Sequence, residues 1–462
     1  MSGALRALAR HVHGAAYDDL PERVVESARL RLLDFLGTAL HATSWAPLGT
    51  FLQLFDAYGD RPEATVIGAG VKKPCAVAAM LNSYPTLSDG SRFARGHCAW
   101  IAMPAALAAA ELRTAREEAA GRPPVHGREL LLAIVLAYEV MLRVGEALHP
   151  AVHDKGFQTT TVRGPLGAAA AASRLLGLDE EATAQALAIA SAMGTGLFAG
   201  ITPWPVYWLQ VGKATEAGVL AALAAEAGVK GNESLLEEGL LPVFGKAEGA
   251  AELRADLADL GSRFAIESTY LKLHFGCRHT HPPADACLDL MRAHGLTWEE
   301  IAAMRVHVYP AAFEECGRTP ARTAAEAMYD IHAVVAMMAV FGDAGPTRFK
   351  DPVILGEPMR QVMSRITLVT DPGLEREYPR LWPSVVEVET RDGRRLRHRR
   401  DLPKGEPEDP YPRPVIEAKF DLLASRAIDE PARRGLLDFI GSLERRERAA
   451  DLVPFLTARG KA

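Results

Sequence analysis

The chain has 462 residues, 48% of them apolar, which is enough to bury a large core and to form two or three domains. Lys and Arg number 52 against 58 Asp and Glu, and this formal charge of −6 without a charged tail argues against nucleic-acid binding. The five cysteines are widely spaced, which argues against a disulfide framework and for a reducing compartment. The longest strongly apolar run, "LLLAIVLAY" at 130–138, is far shorter than the ~20 residues that cross a bilayer. The N-terminal segment also lacks the apolar stretch of a secretory signal, so we expect a cytoplasmic protein.

Apolar residues recur at helical spacing through most of the first ~265 residues. In "PERVVESARLRLLDFLGTALHA" at 21–42, Val25, Leu32 and Phe35 share one face, and Pro21 suits a first helical turn. Alanine on nearly every side of the middle segments indicates helices that approach closely in a buried cluster. Further helices are predicted at 103–115, 128–149, 165–178 and 181–193.

The pattern changes to a period of two after residue 300. Strands are predicted in "MRVHVY" (304–309), "RITLVT" (365–370) and "SVVEVETRDGRRLRHR" (384–399). Asp392-Gly393 predicts a two-residue hairpin turn, and 326–342 predicts one helix between the strands. These features indicate a smaller α+β domain, followed by a proline-rich connector at 402–414 and renewed helix signals.

The segment "FGCRHTHPPADACLDL" at 275–290 raises the question of a metal site. Cys277, His279 and His281 occupy alternate positions, whereas a structural zinc site needs four ligands and usually a second, distant pair. The sequence has no CxxC motif to supply that pair. We therefore predict no metal.

The same segment suits catalysis. His281 is able to exchange a proton near neutral pH, and Arg278 is able to hold a carboxylate through two hydrogen bonds. The alternative is an ordinary helix start at Pro282-Pro283, with Arg278 as a solvated surface charge.

A second polar cluster lies at 82–104, "NSYPTLSDGSRFARGHCAWIAMP", where Asp89 and His97 occupy a loop ahead of an apolar helix. Polar loop residues positioned by a rigid helix are a common form of active site. The alternative is an ordinary polar loop that turns at Asp89-Gly90.

A third cluster is "VHDKGFQTTTVRGPLG" at 152–167, where three threonines, Thr160 among them, precede a helix predicted to carry Pro165 in its first turn. The backbone amides of such a helix start can bind an anion. The alternative is a loop whose threonines only cap the helix.

Aromatic residues are concentrated in "TPWPVYWLQVGKA" at 202–214. Trp204, Tyr207 and Trp208 either line a pocket or pack into the core.

Taken together, these segments resemble the MmgE/PrpD family, which includes 2-methylcitrate dehydratase, cis-aconitate decarboxylase and iminodisuccinate epimerase. The likeness spans nearly the whole chain, from "YDDLPERVVESARLRLLDFLGTAL" through "GFQTTTVRGPLGAAAAASRLLGLD" to "CRHTHPPADACLDL" and "LPKGEPEDP". It implies a mainly α protein with a large all-helical domain at 1–268 plus 403–462, and a smaller α+β lid domain at 269–402. It also implies a homodimer and chemistry next to a carboxylate that needs no cofactor.

The resemblance assigns acid/base roles to His97 and His281 and an orienting or polarising role to Asp89. Three positions that carry cations in the family are neutral here: Gln158 replaces a histidine, Tyr207 a lysine and Gln210 a histidine. The substrate-binding set predicted in this way is Arg278, Tyr207, Gln158, Gln210, Trp204 and Thr160.

We therefore predict a cofactor-independent lyase or isomerase that transfers a proton next to a carboxylate or carbonyl, on a small molecule less charged than citrate-like acids. One alternative is a family member diverted to specialised metabolism, which rearranges or cyclises a larger apolar substrate. Another is a catalytically silent binding protein that keeps the fold.

Overall fold

The computed structural model describes residues 3–44, 47–59, 61–84, 88–201 and 204–457, except the side chains of Tyr58 and Trp204. The chain forms two compact units, one from Met1–Thr269 with Pro412–Ala462 and the other from Tyr270–Tyr411. The architecture is mainly α with a smaller α+β part, which confirms the predicted fold class. No helix in the described ranges has the length and apolar character needed to cross a membrane.

The first unit is helical apart from short extended pieces. Its strands include an antiparallel hairpin of β1 (Ala64–Val66) and β2 (Val71–Lys73), followed by β3 (Gly90–Ser91). Strand β4 (Thr269–Tyr270) lies where the two units divide. The helices are α1 (Ala4–Gly14), α2 (Glu22–Ala42), α3 (Leu48–Phe55), α4 (Cys75–Leu81), α5 (Ala99–Ala119), α6 (Gly127–Leu148), α7 (Ala151–Asp154), α8 (Thr159–Leu176), α9 (Glu180–Ser191), α10 (Trp204–Glu226), α11 (Leu241–Phe244), α12 (Gly249–Asp256), and, after the second unit, α20 (Arg413–Ala424) and α21 (Glu430–Gly441).

Helix α8 lies at the centre of the helical unit and packs against α5, α6 and α10. Small residues permit this close packing, as the contact between α8 and α10 demonstrates. A Cβ atom on Gly218 would lie 2.3 Å from the Pro165 carbonyl oxygen and 2.5 Å from the Ala168 Cβ. The alanine-rich segments therefore form the buried helical cluster that their composition predicts.

A buried ion pair joins α2 to α20. The Lys419 ammonium lies 2.5 Å from the Asp34 carboxylate, and Asp34 has no exposed side-chain surface. Burial raises the pKa of Asp34 to about 6, although the Lys419 charge opposes that shift. The pair therefore fixes the two helices to each other while keeping a carboxylate in an environment that disfavours its charge.

We expect Lys419→Met to lower the free energy of unfolding by ~3–5 kcal/mol at pH 8, because Asp34 would keep a buried charge without its partner. Removing Lys419 also removes the interaction that lowers the pKa of Asp34, so the loss should shrink toward pH 5, where the carboxyl becomes protonated. Urea unfolding at both pH values measures this. The double variant Asp34→Asn/Lys419→Met is the control and should recover most of the loss; an equal loss at both pH values would contradict the explanation.

The second unit contains a four-stranded sheet in the order β6-β5-β7-β8. Its strands are β5 (Ile301–Val308), β6 (Ile366–Thr370), β7 (Ser384–Thr390) and β8 (Arg395–Arg400). Strand β5 pairs in parallel with β6 and antiparallel with β7, and β7 pairs antiparallel with β8. The helices of this unit are α13 (His281–His294), α14 (Pro310–Cys316), α15 (Ala324–Ala327), α16 (Ile331–Phe341), α17 (Asp351–Ile354), α18 (Glu357–Met363) and α19 (Pro372–Glu375).

Two local predictions for this unit were wrong. The connection between β7 and β8 has four residues, 391–394, instead of two, because the Gly393 amide donates to the Thr390 carbonyl and Gly393 takes a positive φ of 87° after the turn. The single helix predicted at 326–342 is two helices, because the Asp330 carboxylate caps the start of α16 by accepting from the His332 and Ala333 amides.

Candidate functional site

His97 lies in the loop before α5 and is held there by contacts with Asp89 and Trp100. The Nδ1 atom of His97 lies 2.6 Å from the Asp89 carbonyl oxygen, and the ring stacks on Trp100 with centroids 3.7 Å apart. A carbonyl only accepts, so Nδ1 carries the proton and Nε2 carries a lone pair. The half-buried His97 is therefore held in the tautomer that accepts a proton at Nε2.

The Asp89 carboxylate is buried and bound on both oxygens. Its Oδ1 accepts from the Ala99 amide at 2.9 Å, at the start of α5, and its Oδ2 accepts from the Tyr138 hydroxyl at 2.6 Å. Burial and the Asp89 charge raise the pKa of Tyr138, which keeps the phenol protonated as a donor. With its carboxylate bound to α5 and α6 and its carbonyl bound to His97, Asp89 positions the loop.

Gly96 brings this loop against α8. Its φ of 135° is one that side chains disfavour, and a Cβ there would lie 2.7 Å from Thr160 Oγ1. Thr160 Oγ1 accepts from the His97 amide at 3.0 Å, and Arg163 donates to the Ala94 carbonyl at 3.0 Å. Thr160 and Arg163 thus fix the backbone on either side of Gly96.

We expect Gly96→Ala to lower kcat roughly 10- to 100-fold, because a shift of the loop misplaces His97, and to lower the unfolding temperature as well, because the added Cβ strains the backbone. The matched control is Gly121→Ala, whose φ of 69° is also positive but which has open space around it. Steady-state kinetics on the substrate measures the effect. If both variants lose equal activity, backbone strain alone explains the loss.

Helix α8 begins at Thr159, so the three threonines form its first turn and Pro165 lies inside the helix. The prediction of a threonine loop ahead of a helix start near Pro165 was therefore wrong. The physical reason is the Gln158 side chain, whose Oε1 accepts from the Thr161 amide at 3.0 Å and caps the helix earlier.

Gln158 and Tyr207 are hydrogen-bonded to each other. The Gln158 amide donates to the Tyr207 hydroxyl at 2.7 Å, and Tyr207 lies edge-on to Trp100 with centroids 5.8 Å apart. Because Trp100 stacks on His97, these four side chains form one continuous group, which we call the His97 cluster. Sequence reasoning missed Trp100, although it follows His97 by three positions.

Gln210, Trp208 and Trp204, which were also predicted to bind substrate or line a pocket, are not members of the His97 cluster. Gln210 packs against the 196–200 segment, where a Cβ on Gly200 would lie 2.1 Å from its amide nitrogen. Trp208 is 2% exposed and packs against Phe51 and Tyr84, so it belongs to the core and not to a pocket. Trp204 begins α10, but its side chain lies outside what the structure describes.

In the α+β unit, His281 is the first residue of α13 and its side chain is fully buried. The Arg278 guanidinium lies 2.9 Å from His281 Nδ1 and also donates to Glu406 at 2.9 Å and to the Lys404 carbonyl at 3.0 Å. A guanidinium only donates, so Nδ1 of His281 accepts and Nε2 carries the proton. Within the described ranges, Nε2 has no partner in hydrogen-bonding geometry.

The surroundings of His281 keep its ring neutral. Burial lowers the pKa of His281 well below its usual value, and the charges of Arg278, His274 and Lys272 lower it further, although the nearby Gly276 carbonyl opposes them. The ring therefore offers an N–H donor, whereas His97 offers a lone pair.

Two models of known protein families match the chain. The model described as the MmgE/PrpD N-terminal domain matches residues 6–251, and the MmgE/PrpD C-terminal domain matches residues 274–444. The chain belongs to the MmgE/PrpD family.

Relatives of this MmgE/PrpD protein match along almost their whole length. Cis-aconitate decarboxylase of Aspergillus terreus (strain NIH 2624 / FGSC A1156) is 26% identical, over 98% of this chain and 95% of the relative. The Homo sapiens cis-aconitate decarboxylase is 26% identical, over 97% of this chain and 94% of the relative. The cis-aconitate decarboxylase-like protein oryM of Aspergillus oryzae is 25% identical, over 95% of this chain and 94% of the relative.

Sequence reasoning on this MmgE/PrpD chain also missed a buried pair beside His281. His274 Nε2 lies 2.8 Å from the Asp285 carboxylate, and the His274 and His281 rings are 5.2 Å apart. Glu406, which binds Arg278, lies within the quoted "LPKGEPEDP" segment, but nothing in that segment indicates its partner 128 residues earlier.

Proposed function

We propose that this protein is a cofactor-independent lyase or isomerase that acts by proton transfer next to a carboxylate or carbonyl. The observation that carries the proposal is the opposite tautomers of two histidines. His97 donates through Nδ1 to a carbonyl and keeps a lone pair on Nε2, whereas His281 accepts at Nδ1 and keeps a proton on Nε2. Proton-transfer catalysis needs one group that accepts a proton and one that donates a hydrogen.

In the proposed reaction, Nε2 of His97 takes the proton from the carbon next to the carboxylate or carbonyl, and the electron pair of that C–H bond passes into the adjacent π system. The protonated His97 then returns that proton, to the departing group in an elimination or to the carbon in an isomerisation, and the Nε2–H of the neutral His281 donates a hydrogen bond to the negative charge that develops on the substrate. Asp89 and Arg278 act as positioning residues, because their polar groups are bound to His97, to α5 and to His281.

The proposed substrate carries fewer negative charges than citrate-like acids. The family's cationic positions are occupied here by Gln158, Tyr207 and Gln210, and the first two are bonded to each other. The remaining cations nearby on α8 and α10 are engaged: Arg163 holds the loop at Ala94, and Lys213 pairs with Glu216. A neutral, partly aromatic surface suits a ligand with one carboxylate better than one with three.

Hydrogen exchange in D2O tests the reaction class. The protein is incubated with a panel of mono-, di- and tricarboxylic acids, and NMR follows both loss of the C–H signal and formation of product. Exchange or turnover with at least one acid, abolished in His97→Gln, is the expected result. Binding without any exchange across the panel would instead identify a catalytically silent binding protein.

The His97 cluster also supports a second candidate, the rearrangement or cyclisation of a larger apolar molecule in specialised metabolism. Trp100 and Tyr207 place two buried aromatic rings beside His97, which a small polyanion does not need. Thermal shift measurements separate the candidates, because a ligand that binds the folded state raises the unfolding temperature. Stabilisation by bulky monoacids but not by small ones favours this second candidate.

A further inference from the structure

A group of metal-ligating side chains lies in the α+β unit. Cys277 directly precedes the helical turn Arg278–Thr280 that contains His279, and Glu315 lies in the last turn of α14. One donor atom from each of Cys277, His279 and Glu315 lies within 4.8 Å of the other two. We call these three residues the Cys277 group.

His279 is oriented as a metal-binding imidazole is. Its Nδ1 lies 2.6 Å from the Tyr309 hydroxyl, and its ring stacks on Trp382 with centroids 4.5 Å apart and an interplanar angle of 12°. This leaves Nε2 directed toward Glu315, whose Oε2 lies 3.4 Å away. A histidine that binds a metal through one nitrogen usually holds a polar group with the other, which fixes the ring.

The exposure and chemistry of the Cys277 group also suit a cation. Cys277 and Glu315 are partly exposed as whole residues, whereas His279 is buried and held. Sulfur, imidazole nitrogen and one carboxylate oxygen match Zn²⁺ and not Mg²⁺ or Ca²⁺, which prefer oxygen.

We propose that Cys277, His279 and Glu315 form a binding site for one zinc ion, with three protein ligands and an open fourth position. This replaces the expectation of no metal. That expectation rested on the lack of a second pair in the sequence, but the third ligand comes from α14, 36 positions beyond His279. His281 is not a member, since the donor atoms that lie within 4.8 Å of one another belong to Cys277, His279 and Glu315. The proposed function does not depend on this site.

Cobalt substitution tests the site without any assay of activity. The reduced protein is freed of metal with a chelator, the chelator is removed, and Co²⁺ is titrated while absorption is recorded. We expect one equivalent to produce a thiolate-to-cobalt charge-transfer band and the visible bands of a four-coordinate ion, and one equivalent of Zn²⁺ to abolish them.

Variants assign the ligands. Cys277→Ser should remove the charge-transfer band, and Glu315→Gln should weaken Co²⁺ binding at least tenfold. Tyr309→Phe should weaken it ~10- to 100-fold, since it removes only the hydroxyl that holds His279. The matched control is Cys287→Ser, because Cys287 is also a thiol of this unit but its Sγ faces Met291. This variant should bind Co²⁺ as tightly as the unmodified protein does.

The absence of a thiolate band in the reduced protein, or its persistence in Cys277→Ser, would overturn the proposal. If Cys277→Ser fails to fold, as circular dichroism would reveal, Glu315→Gln decides, because Glu315 is partly exposed and its replacement keeps the size of the side chain. Unchanged affinity in a folded Glu315→Gln variant would likewise overturn the three-ligand site.

Discussion

His281→Ala is expected to lower kcat by ~10²- to 10⁴-fold, the usual range for losing a positioned acid or base. The reason is the Nε2–H group, which the Arg278 guanidinium maintains by occupying Nδ1. Steady-state kinetics on the substrate found in the D2O panel measures the loss. The effect should lie in kcat more than in KM, because the proton is needed in the transition state.

The control for this variant is His294→Ala. His294 ends the same helix, α13, but its side chain is exposed, so its removal should leave both kcat and the unfolding temperature unchanged. Unchanged turnover in a folded His281→Ala variant would remove His281 from the mechanism.

Cis-aconitate, 2-methylcitrate and iminodisuccinate are expected to be very poor substrates or none. Each charge-assisted hydrogen bond to a carboxylate contributes roughly 1.5–3 kcal/mol, so two or three missing cations reduce affinity by several orders of magnitude. The neutral residues at those positions are Gln158, Tyr207 and Gln210. Saturation kinetics with each acid measures the effect.

A gain-of-binding variant completes this test. Tyr207→Lys/Gln210→His restores two cations and should restore binding of a tricarboxylate, as calorimetry would detect. Lys213→Gln is the control, since Lys213 is 52% exposed and paired with Glu216, and its loss should change neither binding nor turnover. Efficient turnover of any of the three acids by the unmodified protein would contradict the proposal of a less charged substrate.

Periodicity predicts the long helices and strands well, because burial of one face determines both the spacing of apolar residues and the element that forms. The segment 21–42 corresponds to α2 (Glu22–Ala42), and "RITLVT" contains β6 (Ile366–Thr370). The errors lie where one polar side chain outweighs the apolar pattern. Gln158 starts α8 before its apolar repeat begins, and Asp330 starts α16 inside the segment that periodicity predicts as one helix.

The candidate site was predictable only where its members are close in sequence. His97 and Asp89 share one loop, and Arg278 and His281 share one turn, so their neighbourhood follows from the sequence. The partners of these residues could not be found in this way. Trp100 looks like an ordinary residue of an apolar helix, and Glu406 lies 128 positions from Arg278. Such pairings depend on tertiary packing, which local sequence patterns do not encode.

The ion pair between Asp34 and Lys419 joins residues 385 positions apart, and this separation bears on the order of folding. During synthesis, α2 emerges with its buried carboxylate long before α20 exists to neutralise it. Contacts so distant in sequence form late and slow the folding reaction, because a long loop must close first. The helical unit should therefore stay incomplete until the α+β unit has been made, leaving the face of α2 that α20 covers open to chaperones or to aggregation in the meantime.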